Sequence, residues 1–147
     1  MSTRSDDVKE AAAAAIKNKK TLEKHVASLA GSSRRDRQNS AAVIAAVAKD
    51  SPEKVAPFAA DIIDALNRPE AQTRWEVLDA LTELVSLDSR SCDKALLGAE
   101  IALFDEDSGP LRLSAVRFLC ALGATTENRS EKVWPLLDEA IQCYHGD

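Results

Sequence analysis

The chain has 147 residues, 45% of them hydrophobic and only 4% aromatic, and its 19 Lys and Arg against 24 Asp and Glu leave a net charge of -5. That length suits one domain with a continuous core, while the acidic balance argues against a surface that must embrace a phosphate backbone. Abundant alanine with few strand-favouring side chains excludes a sheet-built fold and predicts an all-α protein.

Taken in chain order, MSTRSDDVKEAAAAAIK carries an alanine run but no hydrophobic h-region, and no stretch reaches the roughly 18 apolar residues a membrane span needs, so a cytoplasmic chain with no membrane contact is expected. DVKEAAAAAIKN and KTLEKHVASLAG read as a first helix pair, degenerate in its first member. Three further apolar helices each open on an arginine: RQNSAAVIAAVA from Arg37, RWEVLDALTELV from Arg74 and RLSAVRFLCALG from Arg112. Between and after them lie second helices: SPEKVAPFAADIIDAL and SEKVWPLLDEAIQCY, each headed by a serine able to cap, and SRSCDKALLGAEIALF, which fits more loosely.

The arginines recur at nearly constant offset. After each, small or apolar residues return at the fourth, seventh and tenth positions: Ala41, Ile44, Val47; Leu78, Leu81, Leu84; Val116, Leu119, Leu122. This is one buried helical stripe. A leucine and a polar turn precede each arginine helix: Leu29 before GSSRRDR, Leu66 before NRPEAQTR and Leu103 before FDEDSGPLR, with Pro69 and Pro110 where a helix begins. The pattern resembles the HEAT-repeat family of α-solenoids over residues 20 to 145. The resemblance implies a right-handed superhelix of antiparallel helix pairs, HEAT- or armadillo-like. It predicts one domain over 1–147, divided into a degenerate pair 1–32 and repeats 33–67, 68–106 and 107–147. It also implies a structural ladder in which Arg37, Arg74 and Arg112 reach acidic or carbonyl partners in neighbouring repeats.

Neither a nucleophile motif nor a phosphate-cradling glycine loop is present. Cys92, Cys120 and Cys143, with only His25 and His145 as nitrogen donors, form no legible zinc site or disulfide framework and read as buried free thiols, so no metal and no cofactor are implied. Trp75 and Asp79 stand four apart on one helix face, and Arg112 opens the equivalent helix of the next repeat. In this they are similar to the HEAT-like alkylpurine DNA glycosylases, which implies nucleic-acid binding as an alternative function. A second alternative is an accessory protein like the HEAT-like bilin lyases, which would need an apolar chromophore cleft.

Charge divides the chain. Residues 1 to 49 hold ten Lys and Arg against five Asp and Glu, whereas residues 50 to 147 hold nine against nineteen. Lys17, Lys19, Lys20, Lys24, Arg34, Arg35 and Arg37 make the basic end. In HEAT solenoids second helices line the concave face, where the aligned sequences leave Asp61, Asp64, Glu100, Asp138 and Gln142 outside the apolar stripe, with Trp134 at the head of the last helix. The expectation is a non-catalytic protein-interaction module whose acidic ridge and tryptophan receive a basic or helical protein partner. Either the chain is monomeric or it associates weakly with itself, end to end and sensitive to salt.

Overall fold

The computed structural model describes residues 4–144, leaving His145 and the rest of both termini outside the account that follows. Every regular element among them is helical. Alanine propensity carries α1 (Arg4–Lys17), and Asn18 ends it by capping α2 (Lys19–Ser28), its side chain accepting from the amides of Lys20 and Thr21. Ser33 caps α3 (Arg34–Asp50) through the Asp36 amide, Ser108 caps α9 (Gly109–Gly123) through the Leu111 amide, and Thr126 caps α10 (Glu127–Cys143) through the Arg129 amide. The last helix therefore starts three residues before the serine that the sequence suggested, and Ser130 lies inside it.

The second elements of the middle pairs are broken. One runs as α4 (Pro52–Val55), a 3-10 turn (Ala56–Phe58), α5 (Ala59–Asp64) and a further 3-10 turn (Ala65–Asn67). Pro57, which has no N–H to donate, sits in the first of those turns. Ser51 precedes α4 without capping it, its hydroxyl donating instead to Asp50 at 2.6 Å. Beyond α6 (Ala71–Leu84), the next second element is α7 (Ser89–Cys92), a 3-10 turn (Asp93–Ala95) and α8 (Leu96–Leu103).

The unbroken helices pack in sequence, α1 on α3, α3 on α6 and α6 on α9, while α2 packs on α3, α5 on α6, and α8 and α10 on α9. Their shared seam is one core running from Ala12 to Ala140, with Leu22, Leu29, Ile44, Ile62, Leu78, Leu81 and Phe118 among its fully buried side chains. Gly98 in α8 lies so close to Leu66 that an added Cβ would stand 2.7 Å from Leu66 Cδ1. No helix among the described residues is long and apolar enough to cross a membrane.

Polar contacts join neighbouring pairs along two edges. At the edge where α3, α6 and α9 start, Arg37 Nε donates to Glu70 Oε1 at 2.6 Å and Arg74 Nη1 stands 3.6 Å from Asp105 Oδ2. At the opposite edge, Lys54 Nζ donates to the Ile16 carbonyl at 2.8 Å, and Arg129 grips both oxygens of Asp93 at 2.6 and 2.7 Å. Starts meet starts and ends meet ends, so α1, α3, α6 and α9 run parallel.

Candidate binding surfaces

The three arginines hold their places through different partners. Arg37 bridges two turns, donating from Nη1 to the Gly31 carbonyl at 2.9 Å and from Nε to Glu70. Glu70 is the residue just before α6; its side chain is 2% exposed, and Thr73 also donates to it at 3.3 Å. The Arg37 hydrogen bond, assisted by the backbone and Thr73, holds this carboxyl below its ordinary range despite burial. Its Oε2 has no hydrogen-bond partner, so the ion pair satisfies only one side of the carboxylate. Arg112 differs: it donates to the Asp105 carbonyl at 2.7 Å and lies over the Tyr144 ring, 4.2 Å from its centroid.

A groove of about 730 Å³ is lined by α1, α3, α6 and α9, the first helices of the pairs and not the second ones that the sequence suggested. Its floor includes Ala42, Ala45 and Ala46, which stand one turn apart on α3 and let a ligand come close to the helix. Trp75 forms a half-buried aromatic wall. Glu76, Asp79 and Glu83 come from α6, opposed by Lys9, Lys49 and Arg117. Burial pushes the Asp79 carboxyl above its ordinary value, while a hydrogen bond from Ser114 and the charge of Arg117 act the other way.

Of the sequence-derived trio Trp75, Asp79 and Arg112, only the first two share this groove. Arg112 lines another one, and Arg117 supplies the guanidinium that acts on Asp79. The helical period explains the difference: Arg112 belongs to the first turn of α9, held at its own turn, whereas Arg117 lies more than a turn further along.

The second groove, about 560 Å³, lies between α9 and α10 and is mostly apolar, lined by Leu113, Val116, Cys120, Trp134, Leu137 and Ile141 among others. Trp134 is 63% exposed, Ile141 61% and Leu113 50%. The residues of the expected acidic ridge lie on α5, α8 and α10. Asp61 and Asp64 border a small hollow with Glu23 and Phe58, where Asp64 pairs with Arg68 at 3.0 Å. Glu100 is half-buried on α8, and Asp138 accepts from Gln142 at 3.3 Å on α10. Two residues on α8 went unnoticed in the sequence, Leu97 and Ile101, which are 67% and 58% exposed. Their four-residue spacing places them on one helix face, hidden in an apolar run that reads as wholly core.

The thiols divide likewise. Cys92 is buried, and burial, with Asp88 and Asp93 adding to it, pushes it up to about 11, but Cys120 and Cys143 are exposed, contrary to the expectation of three buried thiols. Cys120 lines the second groove, and Cys143 is exposed at the end of α10. Among the described residues no cluster of three or more His, Cys, Asp or Glu could hold a metal ion. Comparison with protein-family models, curated proteins and solved structures yields no match to this chain.

Proposed function

We propose that the chain is a HEAT-like helical-repeat module, a right-handed solenoid of antiparallel pairs, that binds a protein partner without catalysis. The observation that carries this reading is the groove along α1, α3, α6 and α9, whose alanine floor and Trp75 wall are flanked by charges of both signs. A close-packed floor of small side chains beside one aromatic suits the apolar face of a helix. Glu76, Asp79 and Glu83 favour a basic residue on that helix, and a cation beside Asp79 would draw its carboxyl back towards the charged form. Lys9, Lys49 and Arg117 orient the same helix by accepting its acidic side. The test is a photo-crosslinking residue placed at Ala46, followed by reconstitution of the captured protein with purified components. Binding should weaken about ten-fold or more with Trp75→Ala, as for an aromatic hot spot. A complex indifferent to Trp75→Ala and Asp79→Lys would exclude the groove.

One observation favours a second reading, that Trp75, Asp79 and Arg117 share a groove as a base-excising HEAT-like glycosylase would require. The balanced charges there supply no surplus to neutralise phosphates. Base release from alkylated duplex DNA, abolished by Asp79→Asn, would establish this reading in place of the first.

A further inference from the structure

Neighbouring helix pairs are joined by polar contacts at one or both of two edges, and among the described residues no pair packs beyond α9 and α10. On α9 and α10 this outer face is apolar, through Leu113, Val116, Trp134 and Ile141. On the outer side of α1 the exposed residues are Asp6, Glu10, Ala13, Ala14 and Lys17, set at helical spacing opposite the half-buried and buried Val8, Ala12 and Ala15. The outer faces of the first and last described pairs thus differ in kind: one small and charged, the other apolar.

We propose that the α9–α10 end receives the α1–α2 end of a second copy of this chain, so that copies stack head to tail by continuing the internal packing. This surface is separate from the groove of the proposed partner. Continuation brings opposite charges together at both edges. Where helices start, Arg112 of one copy falls opposite Asp6 and Asp7 in the first turn of the next copy's α1, as Arg37 falls opposite Glu70 and Arg74 opposite Asp105. Arg112 keeps the Asp105 carbonyl and its place over Tyr144 as the next copy's acidic turn approaches, just as Arg37 holds its own turn's Gly31 carbonyl and Glu70 together. Where helices end, exposed Lys19 and Lys20 open α2 as Lys54 continues α4, and they meet exposed Glu127 and Glu131 at the start of α10. Between the edges, Ala13 and Ala14 give the large side chains of α9 and α10 room to approach. A two-fold pairing of α9–α10 faces would leave Lys19 and Lys20 of both copies outside the contact. A heterologous contact of this kind does not close, so association grows with concentration beyond a dimer.

Sedimentation velocity across protein and salt concentrations tests the proposal on the intact chain, with circular dichroism to verify folding of each variant. The mean mass should rise with protein concentration at low salt and fall as salt screens the edges. Lys19→Glu with Lys20→Glu, and separately Glu127→Lys with Glu131→Lys, should each weaken association about ten-fold or more, since the contact at the edge where helices end becomes repulsive. Mixing the two variants should restore it, because their altered ends complement each other. The proposal fails if the protein stays monomeric at every concentration. It fails equally if association survives the Lys19 and Lys20 reversal yet is lost with Trp134→Ser, the signature of a two-fold pair, or if the mixture stays dissociated.

Discussion

Replacing Gly98 by alanine sets two magnitudes against each other at the joint between consecutive second elements. Alanine in a helix interior gains about 1 kcal/mol over glycine. The new Cβ, however, would meet Leu66 at 2.7 Å from Cδ1, 3.1 Å from Cβ and 3.4 Å from Cγ. Rotating the Leu66 side chain relieves the first contact but leaves the second, which is anchored to the backbone. Overpacking of this sort costs about 1 to 3 kcal/mol, so the net effect should be a loss of about 1 kcal/mol. For a chain of this size that is a fall of about 2 to 4 °C in melting temperature, measurable by calorimetry. Leu66→Ala destabilises on its own by emptying core, yet adding Gly98→Ala in that background should cost less than in the wild type, a coupling visible in a double-mutant cycle. A rise in melting temperature on Gly98→Ala, with strict additivity, would show that α8 does not seat against Leu66 and would undo the account of how pairs stack.

Two further outcomes follow from the same contacts. Because Arg37 holds the Glu70 carboxyl below its ordinary range, the pair's contribution is present above the usual glutamate value and lost as pH falls through the lowered one. Wild type and Arg37→Ala should therefore melt well apart at neutral pH and converge in acid; a gap independent of pH would assign the effect to packing alone. Thiol titration of the folded protein near pH 8 should find Cys120 and Cys143 reactive and Cys92 silent until denaturant is added, given its burial and a value of about 11. Three rapidly reacting thiols would contradict the packing of α7 beneath the core.

The periodic arginines and leucine stripes made the helix order legible, because Leu78, Leu81 and Leu119 obey a local rule that needs no knowledge of partners. Arginine partners were not legible. Glu70 and Asp105 lie 33 and 31 residues beyond Arg37 and Arg74, too far for any local rule to join them, and Glu106 and Asp107 beside Asp105 look equivalent to it in one dimension. Trp75 and Asp79 could be joined from their spacing on one helix, but choosing Arg117 over Arg112 required the rotation of α9 relative to α6. Leu97 and Ile101 escaped notice for another reason: apart from Glu100, α8 is apolar, so its pattern barely marks which side faces water. The interrupted second elements were half legible, through Pro57 but not through the 3-10 turn at Asp93–Ala95, which has no proline.

That interruption gives the molecule two unequal elastic moduli. The first helices, α3, α6 and α9, are continuous over 17, 14 and 15 residues, with unbroken ladders of backbone hydrogen bonds. The second elements that follow α3 and α6 are divided into pieces of 3 to 8 residues by 3-10 turns, each a place where the ladder changes pitch, whereas α10 is continuous. Flexing of the chain should therefore concentrate in those turns, with the continuous helices moving as rods. Bending then opens or narrows the Trp75 groove by tilting its walls without deforming them, and amide exchange in the divided elements reports that flexing before any of the rods unfold.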